Sequence, residues 1–235
     1  MAILDRARPD RGARRRLPPK AVKALLGCGI AYPVVYAVTN DVIAASRYDS
    51  YSRLNQAVSE LSATGAPTRR FLTASLPALT ALQLGYGVAV WKSADGRRAV
   101  RASGAVLLAS GVTAPAWLPF PMSPRGDIAA GKATGSDTGH LVLTALTVTE
   151  ILALLGVGSS AFGPRFRAYS LLSAATVLVS GALTSALAPK LTGGKPTPGM
   201  GLYERVSIGT WLLWMAVFAV ILLRERHPLP TATAG

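Results

Sequence analysis

The chain is poor in charge, and nearly without cysteine or histidine. Of its 235 residues only 15% are Asp, Glu, Lys or Arg, against about 25% in an ordinary soluble domain. Cys28 is the single cysteine, so no disulfide can close within the chain and no thiolate metal site can form. It reads as a small hydrophobe in an apolar run. With two histidines, His140 and His227, a haem pair inside a membrane is excluded. No Gly-Lys-Ser/Thr phosphate loop, Gly-x-Ser-x-Gly elbow or His-Glu-x-x-His pair occurs, which removes the best-marked nucleotide, hydrolase and zinc-protease chemistries. No cofactor and no metal are assigned.

What is present is apolar. Hydrophobic residues make up 50% of the chain and the mean hydropathy is +0.36. The few charges fall in short clusters between long uncharged runs, near Ala21–Ile43, Phe71–Trp91, Val100–Phe120, Gly139–Phe162, Ala168–Ala188 and Val206–Leu223. About 20 helical residues cross a hydrocarbon core of about 30 Å, and backbone groups in lipid must be satisfied internally. The expected fold is therefore an all-α polytopic bundle of six transmembrane helices. Three regions follow: a basic disordered tail over residues 1–19, the membrane domain over 20–226, and a short disordered tail over 227–235. The first run is longer than the apolar core of a secretory signal and five more follow it, so it is expected to stay attached despite the Ala44-Ala45 pair.

The net charge of +14 could suggest nucleic acid, but its placement favours lipid. Arg6, Arg8, Arg11, Arg14, Arg15, Arg16, Lys20 and Lys23 precede or edge the first span, as in a cytoplasmic anchor facing anionic lipid. An inside N-terminus puts 16 of the 25 cations inside and 9 outside; without the tail the split is 8 against 9. The tail thus carries the expectation of an N-in, C-in protein of the plasma membrane, with no nucleic-acid partner.

The outward segments are then the long ones. In the first, Leu54, Ala57, Val58 and Leu61 recur at helical spacing beside Arg53, Asn55, Gln56, Ser59 and Glu60, the pattern of a short amphipathic helix lying in the interface. Gly65 and Pro67 end it. Pro121–Thr138 and Pro189–Tyr203 are Gly/Pro-rich connectors.

Asp41, Glu60, Asp127, Asp137, His140 and Glu204 all fall near the outward ends of spans. A histidine among carboxylates can bind a metal, relay a proton or act as an acid–base pair; polar residues also belong at helix ends, where a carboxylate favours an N-terminus. Glu150 lies ten residues beyond His140, about 15 Å deeper, where a carboxylate is costly and usually faces the bundle interior. Thr147 is a candidate hydrogen-bond partner. Tyr32, Tyr36 and Asn40 share a face of the first span beside Pro33, lining a cavity or bonding to neighbouring helices. Ser170, Ser173, Thr176, Ser180 and Thr184 form a stripe suited to close helix packing. Trp211 and Trp214 read as packing groups.

The stretch from Tyr48-Asp49 through Val58-Ser59-Glu60-Leu61, then Phe120-Pro121, a Gly-rich loop and Gly139-His140, resembles the six-helix membrane proteins catalogued as domain of unknown function 998. The resemblance covers roughly Lys20 to Arg226. It implies the architecture and a polar cluster on the outer face, and no established activity. Met122-Ser123-Pro124-Arg125-Gly126 stand before Asp127, where the family tends to place an aspartate almost at once.

The function expected is binding of a lipid or other hydrophobic small molecule at the outer half of the bilayer. Glu60, His140, Glu150, Glu204, Tyr36 and Asn40 are the candidate ligand-binding residues. An intramembrane enzyme acting on a lipid or isoprenoid is the alternative, with Glu150, His140 and Asp127 as catalytic candidates. A small proton-coupled transporter, or an assembly subunit with a membrane-protein partner or a second copy, remains open.

Overall fold

The computed structural model describes residues 17–225. Residues 1–16, with most of the basic tail, and 226–235, with Arg226, His227 and the C-terminal tail, lie outside the described residues. Six helices are long and apolar enough to cross a membrane, and no strand occurs among the described residues.

The first span opens on Pro19, where the missing N–H costs nothing. It runs through α1 (Pro19–Ala37), a π-helical stretch (Val38–Ala44) and α2 (Ala45–Arg47). The irregularity follows Pro33, which cannot donate to the helix ladder. Two side chains then bond back to the backbone: Thr39 donates to the Val35 carbonyl (2.8 Å) and the Asn40 amide to that of Tyr36 (3.1 Å). A 3₁₀ turn over Val58–Ser62 follows. The other spans are α3 (Arg69–Lys92), α4 (Arg98–Thr113, prolonged by a 3₁₀ turn, Ala114–Trp117), α6 (Gly135–Gly158), α7 (Pro164–Thr192) and α8 (Met200–Glu225). The short α5 (Arg125–Ala129) precedes α6.

These spans close into a ring in the order α1, α3, α4, α6, α7, α8 and back to α1. An even number of crossings returns Glu225 to the end where α1 begins, and Glu225 pairs there with Arg97 at 2.9 Å. The 3₁₀ turn, α5 and the Gly/Pro-rich connectors gather at the other end, hereafter the loop end.

The half away from the loop end is sealed by aromatic packing. Trp214 is fully buried, stacks on Phe218 at 4.8 Å, touches Phe166, and donates its indole N–H to Ser170 at 2.8 Å. Gly158 makes room for it, since a Cβ there would stand 2.6 Å from the Trp214 ring. Ser170, Ser173 and Ser180 are buried within the α7 stripe, and α7 packs closely on α8.

Two expectations change. The amphipathic helix across Leu54–Leu61 shrinks to the 3₁₀ turn. Val58 and Leu61 pack against Ala44 and Ala45, whereas Leu54 stays 59% exposed in the preceding turn. The last span begins six residues earlier than its apolar run, at Met200. Glu204 and Arg205 are therefore helical, held there by polar partners that hydropathy does not count.

Candidate functional site

Three clusters of charge and hydroxyl hold the loop end together. In the first, Arg205 on α8 donates to the Asp41 carboxylate (2.7 Å), to the Arg53 carbonyl (2.8 Å) and to the Tyr51 hydroxyl (2.9 Å). Tyr51 donates in turn to the Ala57 carbonyl (2.8 Å). Arg53 donates to the backbone carbonyl of Asp41 (2.8 Å). Burial pushes the Tyr51 phenol up to about 12, against the opposing pull of Arg205. It stays a neutral donor and acceptor across the physiological range.

The second cluster centres on Glu60, whose side chain is only 4% exposed. Arg125 grips it with two N–H groups, at 3.0 and 2.7 Å. The Ala57 amide (2.9 Å) and the Gln56 side chain (3.0 Å) supply two more donors. Four charge-assisted bonds satisfy a carboxylate that would otherwise be costly to bury. Arg125 also reaches Thr197 (3.0 Å), and Thr197 donates to the Asn55 carbonyl (2.8 Å). The three connectors of the loop end are thereby tied to one guanidinium.

Glu204 acts from another helix. Its carboxylate accepts from the Val58 amide at 2.7 Å, the first N–H of the 3₁₀ turn, which has no partner inside that turn. Gly201, one turn earlier on α8, lets this segment approach, because a Cβ would run into the carbonyls of Gln56 and Arg53. The third cluster is the start of α6. Asp137 accepts from Thr134 N–H (2.7 Å) in a capping box and from both the amide and the hydroxyl of Ser123 (2.7 Å each).

The six residues expected to bind a ligand fall into two groups. Glu60, Glu204, Tyr36 and Asn40 belong to the loop end and the first span below it. His140 and Glu150 sit across the ring on α6. His140 contacts the Phe120 carbonyl through Nδ1 (3.1 Å) and sets its ring edge-on to Trp117 at 4.9 Å. A carbonyl only accepts, so Nδ1 carries the proton in this contact and Nε2 is left as acceptor. Glu150 faces α4, where its partner is Thr113 (3.1 Å) and not Thr147. No hydrogen bond or ion pair joins His140, Glu60 and Glu150 among the described residues. Asp127 lies in α5 with no side-chain hydrogen bond there, and no group of three potential metal ligands occurs among the described residues.

Beside the Glu60–Arg125 pair lies a half-open cavity of about 180 Å³, lined by Tyr48, Gln56, Thr64 and Pro124 among others. The hydroxyls of Tyr48 and Thr64 donate to no group among the described residues. Arg125, Tyr48 and Thr197 were not legible as site residues. The one signal in the sequence was that arginines and carboxylates share the outward segments.

No curated protein and no solved structure matches the chain. A family model described as "Protein of unknown function (DUF998)" matches residues 29–221. The matched stretch takes in the Tyr48–Leu61 segment, the three ion-paired arginines and the six spans apart from residues 19–28 and 222–225, and the chain belongs to this family of multi-pass membrane proteins of unknown function.

Proposed function

We propose that the protein binds a lipid or other amphiphile by its polar head at the loop end, and that this end faces outward from the plasma membrane. The observation that carries the reading is the buried Glu60–Arg125 pair standing in the wall of the 180 Å³ cavity. The cavity has room for about six water molecules at about 30 Å³ each, the size of a compact head group. Its wall is electrically balanced, because Glu60 neutralises Arg125. Tyr48 and Thr64 add hydroxyls that have no bond among the described residues to lose. A neutral or zwitterionic head group suits this lining better than a bare anion, which would compete with Glu60 for Arg125.

Native mass spectrometry with lipid analysis, on protein extracted in its own membrane patch, tests the reading. One retained amphiphile, lost from Arg125→Gln and weakened in Tyr48→Phe, is the expected result. Bulk lipid alone, identical in wild type and both variants, would remove it. A stoichiometric protein partner in place of the amphiphile would assign the loop end to an assembly instead.

A further inference from the structure

A second polar site lies inside the bundle, independent of the loop-end cavity. The Tyr86 hydroxyl donates to the Met215 carbonyl (3.1 Å), and its ring fills the space above Gly29, where a Cβ would stand 2.5 Å away. These contacts fix a common depth for α1, α3 and α8. One helical turn nearer the loop end stand Tyr32 on α1, Gln83 on α3 and Trp211 on α8, three or four residues from the reference points and so within about 6 Å along the axis. Thr80 lies a further turn along α3. Tyr32 and Trp211 touch edge to face at 5.7 Å.

Three of these residues are withdrawn from solvent: Gln83 is 4% exposed, Tyr32 7% and Trp211 8%. The Trp211 indole nitrogen and the Thr80 hydroxyl are fully enclosed and have no hydrogen-bond partner among the described residues. Neither the Gln83 amide nor the Tyr32 hydroxyl bonds to another group of the described chain. Buried polar groups in folded proteins are almost always paired, and two enclosed orphans within about two helical turns of each other, beside the unpaired Gln83 and Tyr32, are costly inside a bilayer. An indole N–H only donates, while a carboxamide offers two donors and an acceptor. The chain has no Asp, Glu, Lys or Arg between residues 24 and 40, 71 and 91, or 206 and 223, so no charge stands at this level of the three helices.

We propose that this junction of α1, α3 and α8 binds a compact neutral group bearing both lone pairs and an O–H or N–H, held by Trp211, Gln83, Thr80 and Tyr32. Water and the hydroxyl or carbonyl head of a bilayer-dissolved amphiphile share that chemistry.

The full chain in phosphatidylcholine nanodiscs, with ¹⁵N-labelled tryptophan, reads the site directly, Trp211→Phe serving only to assign the Trp211 signal. Bound water gives a hydrogen-bonded indole that exchanges in D₂O and cross-relaxes with water. A bound amphiphile gives an adduct by native mass spectrometry from native membrane patches, lost in Gln83→Leu. In either case Thr80→Val and Gln83→Leu lower Tm, because each removes a bond to the occupant. Both variants holding or raising Tm, with an indole that neither exchanges nor cross-relaxes and with no adduct, would overturn the proposal. An unoccupied site gains from losing its orphans.

Discussion

Removing Arg125 is the sharpest test of how the loop end is built. In Arg125→Gln, Glu60 keeps the Ala57 amide and the Gln56 side chain and loses its two charge-assisted bonds. Breaking a buried pair by deleting one partner costs about 3–5 kcal/mol. Arg125 is 28% exposed and two donors to Glu60 survive, so about 2–3 kcal/mol is the reasoned figure here. That is about a 30- to 150-fold change in a local opening equilibrium. Hydrogen exchange by mass spectrometry over residues 52–64 should show it as faster exchange of that order, while α7 and the Trp214 region of α8 stay unchanged. Adding Glu60→Gln should restore most of the protection, since a neutral side chain no longer needs the guanidinium. An Arg125→Gln effect below about 0.5 kcal/mol, the scale of an exposed pair, would refute the reasoning. So would a double variant as open as the single one.

Three further outcomes follow from named contacts. Gly201→Ala should displace the Arg53–Gln56 turn and break the bond from the Leu202 amide to Leu54 (3.0 Å), visible as lost protection at the loop end. Gly209→Ala on the same helix, which has nothing within 4 Å of a Cβ, should leave stability unchanged or slightly raised through helix propensity. Trp214→Phe should lower stability by about 1–3 kcal/mol through the unpartnered Ser170 and the lost ring volume; Ser170→Ala in that background should cost little more, a double-mutant cycle that checks the bond. The Tyr51 phenol is raised to about 12 from an ordinary value of about 10, so the folded state holds this proton more tightly than the unfolded one. Its contribution is complete below pH 10 and fades between about 10 and 12. Tyr51→Phe should abolish that part of the alkaline profile, measured as loop-end unfolding against pH.

The six spans were legible because hydrocarbon imposes a requirement that acts on each helix alone: about 20 residues with no charge. Packing of the Ser170, Ser173 and Ser180 stripe and of Trp214 was legible for a related reason, since small residues at helical spacing announce a close neighbour. The amphipathic pattern at Leu54–Leu61 picked out Ala57, Val58 and Leu61, which are buried, but it also counted Leu54, which is exposed, and set the buried Glu60 among the polar neighbours. It could not tell that Ala44 and Ala45, more than ten residues earlier, would receive Val58 and Leu61.

Pairing between distant segments was decided only in three dimensions. Arg125 and Glu60 are 65 residues apart, and Arg205 and Asp41 are 164 apart. Taken singly each reads as a charge at a span end, because a charge pattern along the chain carries no information on which loops the bundle brings together. The same holds for Glu150, which finds Thr113 on α4 in place of a neighbour on its own helix. The unpartnered group around Gln83 and Trp211 shows the limit most plainly. Glutamine and tryptophan in apolar spans are unremarkable one at a time, and only the depth shared by α1, α3 and α8 turns them into a hydrogen-bonding site. Sequence decided that this chain lives in a membrane, through a rule that operates helix by helix. Which polar groups meet there depends on long-range geometry, and that was set by the packing of the ring.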